Sequence, residues 1–324
     1  MRGDREETEQ SLPVASLEEL YPKLRDRAFG PGWNKSSPSL WNQPRRTYAP
    51  AAWRYREARS ALQQAGDLIS TELAERRNLI LVNPVVGNDY ATTNTLVSAY
   101  QMIMPGEFAR SHRHAPNALR LVLDATPGLY TVVDEQKVPM ATGDVVLTPN
   151  WCWHGHGNEG TANGYWIDFL DVPLVQRLEP MFFEPLRPDT PPVQEVDQSP
   201  FRFRWQDTRA SLKTAPPDPT GRALAQIRLD TPALKTFELY MLKLGAAPTV
   251  AFRSTANSIY AVVEGHGATT IEGRRFDWAR GDVIAVPSWC AHSHCADPEA
   301  VLFRVTDEQV MKRLGFFREE TAAA

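Results

Sequence analysis

Of the seven histidines in the chain, four stand in two short windows, His112-Arg113-His114 and His154-Gly155-His156. On a β-strand, residues two apart face the same side, so His112 and His114 look into the same space, and His154 from a neighbouring strand completes a triangle. Three imidazoles gathered on one side of a metal leave its other side open. A reaction needs that open side, and a closed structural site lacks it. The plainer reading, three satisfied structural histidines, sits poorly with so tight a concentration of so few. His156, two residues past His154, is placed for general acid or base work beside whatever binds, with a structural hydrogen bond as its plainer alternative.

The elements that must hold these residues come from an internal repeat. Gly143-Asp-Val-Val-Leu-Thr-Pro149-Asn-Trp151-Cys-Trp-His154-Gly-His156 recurs as Gly281-Asp-Val-Ile-Ala-Val-Pro287-Ser-Trp289-Cys-Ala-His292-Ser-His294, at a constant offset of 138 residues. A weaker match pairs Asn117-Ala-Leu-Arg120 with Asn257-Ser-Ile-Tyr260. Each copy reads as short Val-, Ile-, Leu- and Tyr-rich strands broken by Gly, Pro and Asp turns, such as Leu129–Val133 followed by a turn over 134–137, which predicts a small antiparallel barrel or jelly roll. Nine prolines between 180 and 219 mark a connector, too many for a helix or central strand. Upstream, 53–77 has helical spacing, and residues 1 to about 50 read as a loop-like arm. The expected division is 1–78 for arm and helix, 79–182 for a metal-bearing first barrel, 183–233 for the connector and 234–324 for a second barrel with a tail.

Composition narrows the partners. With 42% hydrophobic residues over 324 positions, the chain can bury a real core, and its net charge of -4 leaves no basic face for a nucleic acid or an anionic membrane. Three cysteines without paired spacing fit a reducing compartment, and the charged start shows no signal peptide or membrane span, so a cytoplasmic location is expected.

The windows Gly106-x5-His112-x-His114 and Gly143-x5-Pro149-x4-His154-x3-Asn158 resemble the two cupin motifs. Two departures stand out. Trp151 replaces the usual Gly, and the usual Glu ligand is missing, with Ala118 and Leu119 in its place. A site of three His alone resembles that of the gentisate 1,2-dioxygenase-like bicupins, and the likeness covers roughly 79–312. Gln101, Ala118-Leu119-Arg120, Trp151-x-Trp153-His154-x-His156 and Ile167-Asp168-x-x-Asp171 add to it. The resemblance implies a mainly β fold of two cupin barrels with an N-terminal helical arm, one Fe(II) per subunit in the first barrel, O2 as co-substrate, and a homo-oligomer, dimer or tetramer.

It also implies ring opening of a small aromatic acid between its carboxyl- and hydroxyl-bearing carbons. Three neutral imidazoles leave the metal its full charge, which favours a chelating dianion such as a deprotonated 2-hydroxybenzoate. Arg120, six residues beyond His114 and read as sharing its strand face, is expected to fork onto the substrate carboxylate, with a salt bridge to Asp168 as the plainer alternative. Gln101 and Asp168 are candidate substrate contacts, Trp151 and Trp153 candidate walls for the ring, and Val97 and Ala99 candidate shapers of specificity. Gentisate, salicylate, a 5-substituted salicylate such as 5-nitrosalicylate, and 1-hydroxy-2-naphthoate stand as substrates. In the second copy the ligand positions become Phe252 and Ser254, leaving His292 and predicting a structural barrel. The competing classes are a non-catalytic ligand-binding bicupin and a metal-dependent isomerase or decarboxylase, which usually keeps the carboxylate ligand.

Overall fold

Strand Ala118–Asp124 (Ala-Leu-Arg-Leu-Val-Leu-Asp) is buried along both faces, which requires protein on either side of its sheet. A computed structural model describes residues 14–70, 77–185 and 193–322 and shows what lies there. Leu119, Leu121 and Leu123 point outward into the largest apolar cluster, and Val122 points inward to a separate one with Ile103, Val146 and Trp166. The outer cluster takes Tyr100, Tyr165, Ile167 and Phe169 from the first half of the chain and Leu239, Met241, Ile259, Phe303 and Val305 from the second. The main core is therefore the seam between two barrels.

Each barrel is a pair of mostly antiparallel sheets. In the first, one sheet runs Arg202–Phe203, Val145–Thr148, Ala118–Asp124, Gly164–Leu170, Val97–Ile103, Arg77–Ile80. Its partner runs Phe183–Pro185, Phe108–His114, His154–Asn158, Leu129–Val133, Gln136–Pro139, Gln194–Glu195. In the second, the sheets are Ala51–Trp53, Val283–Val286, Ser258–Glu264, Ala300–Thr306, Glu238–Leu244, Ala225–Leu229, and Arg274–Ala279, His266–Ile271, His292–Ala296, Phe252–Ser254, Glu319–Thr321. The mainly β, two-barrel fold expected from the repeat is what the chain adopts.

The two halves exchange their leading segments. Ala51–Trp53 pairs with Val283–Val286 of the second barrel, and Arg202–Phe203 pairs with Val145–Thr148 of the first. Each exchanged strand leads into a helix, Tyr55–Leu68 or Trp205–Thr214. The Gly-Asp pair of the opposite repeat receives the start of that helix: Asp282 Oδ1 accepts the amide of Tyr55 at 2.8 Å, and Asp144 Oδ1 accepts that of Trp205 at 2.8 Å. Gly281 and Gly143 take positive φ values of 85° and 88°, and a Cβ on either would fall within 2.5 Å of the Tyr55 or Trp205 ring. A second reciprocal tie crosses between the halves: Thr236 bonds to Asn117 and Asp171 of the first, and Thr95 bonds to Asn257 and Asp307 of the second.

Three expectations need correction. The upstream helix spans Tyr55–Leu68, because Trp53 is recruited into the exchanged strand; residues 71–76, inside its expected range, lie outside the described residues. The arm is not wholly loop-like: Leu17–Arg25 is a helix despite Pro22, with Ser16 Oγ accepting the Glu19 amide. Among the described residues, those up to Arg45 form one compact unit and those from Arg46 onward another. The connector holds the Trp205–Thr214 helix, which fits between Pro200 and Pro216.

Candidate functional site

The three ligand candidates converge in the first barrel. Phe108–His114 pairs antiparallel with His154–Asn158 so that His112 stands opposite His154, and the imidazole centres lie 4.4 Å (His112 to His154), 4.7 Å (His114 to His154) and 5.6 Å (His112 to His114) apart. Their ligand nitrogens all lie within 4.8 Å of one another. The backbone fixes which nitrogens these are. Nδ1 of His112, His114 and His154 lies 3.1, 2.8 and 3.0 Å from the carbonyl oxygens of Arg110, Pro116 and Cys152. A carbonyl only accepts, so each Nδ1 carries the proton and each Nε2 keeps its lone pair, the tautomer a metal requires. Burial, then the neighbouring His112 and His114, hold the His154 pKa well below the usual imidazole range, so its ring stays neutral. Three nitrogen donors without a carboxylate fit a divalent metal with open positions, and among the described residues no carboxylate belongs to this group.

Beside the triad lies a buried polar layer. Arg120 donates from Nη1 to Thr131 Oγ1 at 2.9 Å and to His156 Nδ1 at 2.6 Å, and its Nε stands 3.3 Å from Asp168 Oδ1. A guanidinium only donates, so His156 accepts; Nη1 lies nearest its Nδ1 and 3.2 Å from its Nε2. Gln101 donates its amide to Asp168 Oδ2, which orients that amide, and its buried Oε1 has no hydrogen-bond partner among the described residues. Register across the sheet places Asp168 opposite both Ala99 and Arg120, with Val97 opposite Leu170 at the end of the same inward row.

Sequence reasoning needs adjustment at two points. Arg120 does not share a strand with His114: the chain turns at 115–117 and crosses to the opposite sheet, from which Arg120 reaches His156. Its ion pair with Asp168, the plainer alternative, is present together with the His156 contact. Trp151 and Trp153 are given another neighbour. Arg113 alternates with His112 and His114 and so points out of the barrel, where its guanidinium lies 4.8 and 4.6 Å from the two ring centres. Thr131 and Trp166 escaped notice. Thr131 was legible, since the repeat carries Thr269 against His294 in the same geometry at 2.8 Å. Trp166, whose ring centre is 5.5 Å from that of His156, stands opposite Val122 as Leu302 stands opposite Val262 in the second barrel, and gave no signal.

In the second barrel Phe252 stands opposite His292, and Tyr260 occupies the strand position of Arg120. Its hydroxyl lies 2.9 Å from His292 Nε2, in the space where the first barrel gathers its lone pairs.

The family model described as "Cupin domain" matches residues 99–170, the heart of the first barrel. A 5-aminosalicylate 1,2-dioxygenase of Comamonas sp. is 33% identical over 95% of this chain and 91% of its own length. A gentisate 1,2-dioxygenase of Aquipseudomonas alcaligenes is 31% identical over 96% of this chain and 98% of its own. The chain belongs to the gentisate 1,2-dioxygenase family. Among solved structures, the salicylate 1,2-dioxygenase of Pseudoaminobacter salicylatoxidans in complex with gentisate superposes with a TM-score of 0.85 at 27% identity, covering 98% of both chains. As a family member the chain is a ring-cleaving dioxygenase, and His112, His114 and His154 form a group that could hold a metal ion. No helix among the described residues is long and apolar enough to cross a membrane.

Proposed function

We propose that this protein is an iron(II)-dependent, extradiol-type dioxygenase that opens a salicylate-type aromatic acid between its carboxyl- and hydroxyl-bearing carbons. The observation that carries the reading is the convergence of three neutral Nε2 donors beside a buried arginine. An iron(II) ion held by His112, His114 and His154 would supply a redox centre able to chelate the acid's carboxylate and adjacent hydroxyl and to activate dioxygen.

The remaining work belongs to the polypeptide. Arg120 forks onto the carboxylate and anchors the acid; Asp168 and Gln101 hold that guanidinium and the ring's far edge. Desolvation by the surrounding barrel strengthens the anchor. His156 relays the phenolic proton, with Thr131 and Arg120 keeping its Nδ1 engaged. Val97 and Ala99 set the room for a ring substituent, so gentisate and the 5-substituted salicylates are the leading substrates. The protein works as a cytoplasmic homo-oligomer, dimer or tetramer.

Dioxygen uptake with ferrous iron and gentisate, salicylate, 5-aminosalicylate, 5-nitrosalicylate and 1-hydroxy-2-naphthoate tests the reading. Uptake matched one-to-one by a ring-opened chromophore is expected with at least one acid. No uptake from protein carrying one iron per chain overturns it.

A further inference from the structure

We infer that Arg113 is a positioning residue of the metal centre, an outer clasp that holds together all three segments on which the ligands depend. The inference rests on the metal reading of His112, His114 and His154.

Arg113 sits between two ligands and reaches away from them. Its Nε and Nη2 donate to the same oxygen of Glu184, at 2.9 and 2.7 Å. Glu184 belongs to the edge strand Phe183–Pro185, which runs along the ligand strand in register, Phe183 to His114 and Pro185 to His112. From that edge strand, the Phe183 ring lies 5.2 Å from the His112 imidazole at an interplanar angle of 31°. The guanidinium also lies over both Trp151 and Trp153, which flank Cys152, whose carbonyl holds His154 Nδ1. The Trp151 amide in turn donates to the His114 carbonyl at 2.9 Å. One side chain thus ties the strand of His112 and His114, the turn that aims His154, and the edge strand that backs His112. Outer contacts that fix ligand orientation govern metal affinity as strongly as the ligands' own geometry allows.

The second barrel supplies an internal control. Arg253 lies 5.0 Å from the Trp289 ring and pairs with Glu320 of the edge strand Glu319–Thr321. The clasp is repeated there with a single indole, since Ala291 replaces Trp153, and it surrounds Phe252, Ser254 and a His292 already bonded to Tyr260. A clasp serving only the fold predicts equal consequences in both barrels; one that tunes the metal predicts a difference.

The test compares Arg113→Met, Arg113→Lys and Arg253→Met in the full chain. Ferrous iron affinity is measured anaerobically against a chromophoric chelator, the visible spectrum of the cobalt(II)-loaded protein reports ligand geometry, and thermal melting of metal-free protein reports the fold. Arg113→Met is expected to weaken iron binding by roughly tenfold to hundredfold and to alter the cobalt spectrum. Arg113→Lys, which keeps the cation over the indoles, should recover part of both. Arg253→Met should melt lower with unchanged iron affinity. Unchanged iron affinity and spectrum in Arg113→Met, or equal loss in Arg253→Met, overturns the clasp. Failure of the wild-type chain to bind iron, or undiminished binding in His154→Ala, instead overturns the metal reading itself.

Discussion

The hydroxyl of Tyr260 lies 2.9 Å from Nε2 of His292, so the second barrel closes with a hydrogen bond the space that the first leaves to three lone pairs. The chain should therefore bind one metal ion, not two. Elemental analysis after loading should give one iron per wild-type chain, one for His292→Ala and none for His112→Ala or His154→Ala. Two ions per wild-type chain would contradict the assignment of the second barrel.

Arg120→Ala should separate binding of the acid from binding of the metal. Removing one partner from a desolvated charge pair costs roughly 2 to 5 kcal/mol, so the acid's dissociation constant, measured anaerobically by titration calorimetry, should rise steeply while iron content holds. Loss of iron in this variant would place Arg120 among the metal's supports.

Acid should unfold this protein partly through its second barrel. Burial, with smaller contributions from Arg304 and Arg222, lowers the His292 pKa from 6.5 to about 3, so the folded ring stays neutral while the unfolded chain takes up a proton below pH 6.5. Stability from this group is complete above that pH and falls as the pH drops from 6.5 toward 3, by about 1.4 kcal/mol per pH unit. His292→Gln should flatten the pH dependence of the urea midpoint over that interval. An unchanged slope would mean that the ring charges in the folded state.

Gly281→Ala should cost stability without touching the site. The new methyl would have to displace the Tyr55 ring from a backbone at φ 85°, and overpacking of this kind costs about 1 to 3 kcal/mol. A lowered melting temperature with wild-type iron affinity is the expected pair of results; an unshifted melting temperature would show that the helix start is not seated on that glycine.

The two-barrel fold and the triad were legible in the sequence because both are periodic: the repeated Gly-Asp, Pro-x-Trp and His positions announce equivalent strands, and His112-x-His114 announces a shared face. The exchange of leading segments was not legible, because Tyr55 and Asp282 are far apart in sequence and neither residue type advertises the other. Arg120 was expected on the strand of His114 and lies on the facing sheet, since spacing alone does not reveal a turn that carries the chain across. The Arg113 contacts depend on cross-strand register, which a single sequence leaves open.

Since each half seats its opening helix on the other's Gly-Asp turn, neither barrel is complete without its neighbour. The pair amounts to an arm-swapped two-fold dimer written into one chain. Its parts are therefore expected to melt together, as one calorimetric transition, and a metal or acid bound to the first barrel should stabilise the second as well.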